Sequence, residues 1–213
     1  MSATGWQRGA IAAASLALCL GGLASVTQGV AVPVRARLAQ DGLEHEFARR
    51  LENHRVTLAA EPRGRRLARP ASGSAAATLA LPSSGPIARI TVARLGVAEI
   101  VLAGAATHEQ LARGPAVIKQ GDAANPVTVL AAHRDTHFLF VRDLREGDEI
   151  TLQYVTGSKE RYRVVRFETL RWDTFFYPLD PARPLLALAT CYPFGGTEYG
   201  GPWRRVAWAE RVA

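Results

Sequence analysis

The sequence predicts a mainly β protein, a closed barrel of about eight short strands with short helices, carrying an N-terminal transmembrane helix. Three observations predict it. Beyond residue 86 the chain falls into short runs rich in β-branched and aromatic residues, punctuated by Gly, Pro, Asn and Asp. Few stretches there hold a helical period, and many short strands with few helices bury their apolar faces best by closing on themselves. Before residue 35, by contrast, the chain is apolar and uncharged for longer than the about 20 residues that cross a bilayer as a helix.

That first stretch, residues 9–34, contains the Ala-, Leu- and Gly-rich core GAIAAASLALCLGGLASV. A cleaved signal peptide is the competing reading, with Gly29-Val30-Ala31 as a passable small-x-small site. The uncharged run exceeds what such a signal needs, so residues 1–34 are expected to be an uncleaved anchor. Residues 35–58 then read as a polar, helix-compatible stalk with a thin apolar stripe of Leu38, Phe47 and Leu51. From 61 to 86 the composition turns to Arg, Ala, Ser, Gly and Pro, a linker signature, which places the division at 1–34, 35–85 and 86–213.

In the last segment, residues 87–92 and 98–102 flank Leu95-Gly96 as a hairpin. Thr107 caps a short helix over 107–113, stopped by Gly114-Pro115. Asn125-Pro126 turns the chain into a buried strand at 127–132, which ends on His133. Residues 138–141 form a short apolar segment, and 149–156 and 159–170 alternate as two antiparallel strands around Gly157-Ser158. Within the loop 171–184, Trp172, Phe175, Phe176 and Tyr177 are expected to pack into the core, with a substrate groove as the second reading. The continuously apolar run 185–189 between Pro184 and Pro193 fits a strand buried on both faces. Gly-rich 195–201 reads as a mobile flap, and 203–212 as the closing strand.

Charge and cysteines narrow the function. The net charge of +7 sits mostly ahead of residue 87, in the stalk and linker arginines, so it suits a solvated arm or an acidic lipid surface and argues against a nucleic-acid partner. The two cysteines are Cys19, in the apolar run, and Cys191, which rules against a structural disulfide or a paired-cysteine zinc site. Cys191 thus stands alone at a strand tip, with His133 after another strand and Arg204 at the start of a third. A thiol needs a base and its acyl intermediate needs a cation or N–H donors, so these three can form an acyl-transfer site. Two rivals stay open. One is a zinc hydrolase built on His133, His137, Asp135 and Cys191, although Arg134 stands where a metalloprotease helix would carry Glu. The other is a non-enzymatic, membrane-tethered β-barrel binding module with an inert Cys191.

The segment Leu186-Ala187-Leu188-Ala189-Thr190-Cys191-Tyr192-Pro193-Phe194 resembles the TLxTC strand of sortases, with Ala187 where Thr is usual. His133-Arg134-Asp135-Thr136 resembles the sortase histidine segment, and Gly201-Pro202-Trp203-Arg204-Arg205-Val206 the strand bearing the sortase arginine. The resemblance spans roughly residues 86–213 and is nearest to the Gram-negative, proteobacterial group. It implies a sortase β-barrel and a cysteine transpeptidase, and no cofactor or metal-ligating residue is expected. Such an enzyme would cleave an LPxTG-like C-terminal sorting signal of a secreted protein, hold the acyl group as a thioester on Cys191 and pass it to an amine. His133 would be the acid and base, and Arg204 the oxyanion or substrate-binding residue, with Thr190, Asp135 and Tyr192 in support. Because side chains alternate along a strand, Arg205 would face away from the site. The family layout also implies a single pass through the bacterial inner membrane by residues 9–34, with the catalytic part on the extracytoplasmic side.

Overall fold

A computed structural model of the chain describes residues 3–60, 83–196 and 200–212, and in the first helix most side chains ahead of Pro33 lie outside the described set. Residues 61–82 of the expected 61–86 linker and the centre of the expected flap, 197–199, also fall outside it. The body is a closed barrel of β1 (Gly85–Val92), β2 (Val97–Ala103), β3 (Ala116–Lys119), β4 (Val127–Ala131), β5 (Glu149–Tyr154), β6 (Lys159–Arg171), β7 (Leu185–Tyr192) and β8 (Trp203–Val212). Around the wall they run β1-β2-β3-β4-β7-β8-β6-β5, and β5 closes on β1. The short helix α2 (His108–Arg113) sits between β2 and β3, with Thr107 as its cap. The pairs β2/β3 and β4/β7 are parallel and the others antiparallel. The mainly β closed barrel is therefore as expected. β3 is the strand the sequence did not reveal, because its four residues end on Lys119 and alternate too briefly to stand out.

Strand alternation sorts the apolar residues into two layers. Inside the barrel, Leu130, Leu186, Leu188, Ala207 and Ala209 meet Ile90, Ile150, Leu152, Tyr162 and Val164. The opposite faces of β4, β7 and β8 carry Val127, Val129, Leu185, Ala187, Val206 and Trp208, a second cluster on the outer side of the wall. β7 is thus buried on both faces, which is why its sequence is an unbroken apolar run. Phe175 stacks on Trp208, with ring centroids 6.0 Å apart and planes at 14°, and Tyr177 also packs on this outer cluster. Trp172 and Phe176 do not join them. They are 61% and 80% exposed, so the expected aromatic core contribution holds for two of the four residues. Phe175 follows the 3-10 turn Trp172–Thr174 in extended conformation, where residues two apart share a face, so Phe175 and Tyr177 turn inward and Phe176 between them turns out.

The polar stalk belongs to a single helix, α1 (Ala3–Ala60), whose later turns seat on the barrel. Leu43, Phe47 and Leu51 form one buried stripe against Ile100, Leu102 and Val155. Leu43 takes the place expected for Leu38, which is 65% exposed. The reason is helical phase. Residues 43, 47 and 51 recur at i, i+4 on one face, whereas five residues back turns the side chain about 140° away. Polar contacts fasten the same face. Gln40 Oε1 accepts from the Ile100 N–H at 2.6 Å while its Nε2 donates to the Arg113 carbonyl at 2.9 Å, and Glu44 pairs with Arg89. Among the described residues no helix is long and apolar enough to cross a membrane, and the side chains of the expected span at 9–34 lie largely outside them.

Phe47 is fully buried and Arg89 lies over its ring at 4.9 Å. Replacing Phe47 by alanine is expected to cost about 3–5 kcal/mol at this seat, read as a lower urea midpoint of the full chain. An unchanged midpoint would mean that the helix contributes little to the folded body.

Candidate active site

Strand register assembles the site. β4 and β7 run parallel with Ala131 opposite Ala189, so the chain leaving β4 toward His133 passes beside Thr190 and Cys191. Thr190, buried at the tip of β7, locks this arrangement by donating its hydroxyl to the Ala132 carbonyl at 2.8 Å. In the antiparallel β7/β8 ladder Cys191 lies directly opposite Arg204, and residues opposite one another share a face. That face is the outer one, since Cys191 continues the alternation of Leu185, Ala187 and Ala189. Arg205 takes the other face. Its Nη1 donates to Thr169 Oγ1 at 3.1 Å and its guanidinium lies 4.9 Å from the Phe167 ring centroid.

A cleft of about 690 Å³ opens here, and its lining includes Cys191, His133, Arg204, Thr190 and Asp135. α1 and α2 close its far side with Arg35, Ala36 and His108. The site therefore lies on the outer side of the wall at the strand ends, between the β4–β7–β8 tips and two helices. Cys191 carries a free, partly exposed thiol. Arg204 is anchored at the edge of the cleft, its Nη1 donating to the Gly201 carbonyl at 2.6 Å and to the Trp203 carbonyl at 2.9 Å.

His133 is half-buried, and its Nε2 is a buried nitrogen with no hydrogen-bond partner among the described residues. Burial pushes the imidazole below its ordinary titration range, and repulsion from His108 lowers it further. The His108 backbone and the charge of Asp135 act the other way, while His137 adds to the lowering. The neutral ring keeps one nitrogen lone pair, which can accept a proton from a thiol. A buried unpaired nitrogen is costly, so a group entering the cleft and bonding Nε2 gains from it.

The remaining residues singled out from the sequence are placed less centrally. Asp135 is largely exposed, and its Oδ1 accepts from Arg134 Nε at 3.2 Å. Tyr192 is 37% exposed and meets the Phe194 ring edge-on at 6.0 Å, beside the cleft rather than in its lining. His137 is buried, with Nδ1 2.8 Å from Glu99 Oε2 and Nε2 3.2 Å from the Ala112 carbonyl. Both its ring nitrogens are engaged away from Cys191, which leaves the zinc reading without its second histidine. Among the described residues no group of three or more His, Cys, Asp or Glu is placed to hold a metal ion.

Three cleft residues escaped the sequence reading. Arg35 belongs to the expected stalk, and only the packing of α1 brings it here. Arg134 is buried and its Nη2 donates to the Gly196 carbonyl at 2.6 Å, tying the loop after β7 to the loop after β4. Its place inside the His-Arg-Asp-Thr segment was the available signal. His108 follows a helix cap and gives no sequence sign of lying against His133.

A thiol, a neutral imidazole and a guanidinium gathered at neighbouring strand tips of a closed barrel make up the equipment of cysteine acyl transfer. The chain belongs to the sortase family: the Sortase domain model matches residues 90–212. Sortases are cysteine transpeptidases. Solved structures similar to this chain include the complex of Streptococcus agalactiae sortase C1 with MTSET, at 18% identity and a TM-score of 0.51, covering 59% of this chain and 68% of that one. Sortase C from Clostridium perfringens SM101 is similar at 17% identity and a TM-score of 0.53, over 82% of this chain and 90% of that one. Clostridium perfringens sortase C with the C-terminal cell wall sorting motif gives 19% identity and a TM-score of 0.54, over 63% and 75%. At these identities the likeness establishes the fold. No curated protein matches the chain.

Proposed function

We propose that this chain is a membrane-anchored sortase that cleaves an LPxTG-like C-terminal sorting signal through a thioester on Cys191 and transfers the acyl group to an amine. The observation that carries the reading is the register that sets Cys191 opposite Arg204 in one cleft with His133. His133 Nε2 takes the thiol proton as Cys191 Sγ attacks the carbonyl carbon of the scissile Thr–Gly bond. The tetrahedral oxyanion is stabilised by the Arg204 guanidinium. Collapse breaks the C–N bond, the imidazolium returns its proton to the leaving amine, and the thioester remains. An incoming amine then attacks the thioester carbonyl carbon and gives a proton to His133, the C–S bond breaks, and the imidazolium returns the proton to the departing sulfur, which restores the Cys191 thiol.

The substrate is a secreted protein carrying the sorting signal. The neighbour solved with a sorting motif supports this choice by analogy of fold. Anchorage by a single pass of residues 9–34 in the bacterial inner membrane, with the catalytic part extracytoplasmic, rests on the uncharged run and on α1 continuing from it to the barrel. The Gram-negative subgroup rests on the Tyr192-Pro193-Phe194 continuation alone.

The test is incubation of the full chain in detergent with a panel of LPxTG-type peptides and a small amine. Amide product from at least one peptide is expected, and its absence across the panel, with Cys191 inert to a soft electrophile, would favour the binding-module reading. Arg204→Gln is expected to lower transfer by about 10² to 10³. Arg205→Gln, on the opposite face, is expected to stay within a few-fold of the parent. Equal losses in both variants would remove Arg204 from its role.

A further inference from the structure

The loop into α2 is built to put one side chain in one place. Ala106 holds a left-handed backbone at φ 52, a conformation rare outside glycine. Gln110 stitches the turn together, its Nε2 donating to the Ala103 carbonyl at 2.7 Å and its Oε1 accepting from the Ala106 N–H at 3.0 Å. Thr107 Oγ1 accepts from the Gln110 N–H, which caps α2. The residue delivered by this turn is His108. Its ring centroid is 4.8 Å from that of His133, with the planes at 64°, an edge-on contact within the cleft.

We propose that His108 is a positioning residue for His133, holding the imidazole edge-on beside Cys191 and opposing a second positive charge next to it. The contact acts twice. The edge of one ring against the other restricts rotation of His133, whose Nε2 has no hydrogen bond of its own to fix it. Two imidazolium ions this close repel, so a proton on His108 disfavours one on His133, in line with the direction in which His108 moves the His133 titration. The other groups around His133 are Asp135 and His137 on its own loop, Arg134 beside it, Cys191 on β7, Arg204 on β8 and Arg35 on α1. His108 is the titratable ring in direct contact.

The inference rests on His133 being the acid and base, and its test does not require turnover. The full chain in detergent is compared with His108→Ala and His108→Phe, each first shown to melt like the parent. Histidine ring NMR gives the His133 titration midpoint, and the pH dependence of Cys191 alkylation by a soft electrophile gives the coupled reactivity. In both variants the His133 midpoint is expected to rise. His108→Phe keeps a ring edge and is expected to retain the parent's alkylation rate at its optimum, whereas His108→Ala is expected to lose several-fold. Unchanged midpoints would overturn the electrostatic part, and equal alkylation rates in His108→Ala and His108→Phe would overturn the positioning part. If Cys191 is inert in the parent as well, the catalytic reading fails separately, and the His133 midpoint still reports on His108.

Discussion

Cys191→Ala is expected to abolish acyl transfer, a loss on the order of 10⁴-fold or more, while the barrel remains folded. The two halves of this expectation come from the same feature. Cys191 lies beyond the buried stretch of β7, and its side chain faces the cleft rather than either apolar cluster. Removing the sulfur leaves no core cavity, so stability should change by no more than about 0.5 kcal/mol. Chemistry, by contrast, loses the thiol that lines the cleft, and without its sulfur no thioester can form. Thr190 sits one residue away, but its hydroxyl is committed to the Ala132 carbonyl. Peptide turnover and thermal unfolding of the same sample check both halves, and residual transfer within tenfold of the parent would contradict them.

His133→Gln is expected to lower transfer by about 10² to 10⁴. Its pH behaviour is the more discriminating signature. Burial and His108 hold the His133 titration below the ordinary histidine value, so the ring stays neutral as pH falls past 6.5 and gains its proton only at lower pH. Activity that needs the neutral ring should therefore persist through mildly acidic pH and then fall as His133 protonates. In His133→Gln this acid limb should disappear along with most of the rate. An acid limb that survives the substitution would assign it to another group.

The barrel was legible because its strands are patterned locally. Residues 87–92, 127–131 and 185–189 each declare a strand by an apolar run between turn residues, and the Thr107 cap declares α2. Chemistry was legible as three residue types at strand ends, and the resemblance of those segments to sortase motifs linked them. What the sequence could not show is tertiary. The phase of α1 decides that Leu43 rather than Leu38 meets the barrel, and that same docking carries Arg35 and Ala36 into the cleft. No local pattern ties His108 to His133, since the contact depends on the left-handed turn at Ala106 and on the β2–β3 pairing that returns the chain beside β4. Trp172 and Phe176 look like core residues by type, yet only Phe175 and Tyr177 pack on the outer cluster that holds Trp208.

The measurement that tests the account most directly is the intact mass of the full chain after brief exposure to an LPxTG-type peptide without added amine. An added mass equal to the acyl half of the peptide is expected, localised to the peptide fragment containing Cys191, lost on adding an amine and absent in Cys191→Ala. Peptide cleavage that proceeds with no such adduct, or an adduct that survives Cys191→Ala, would contradict it.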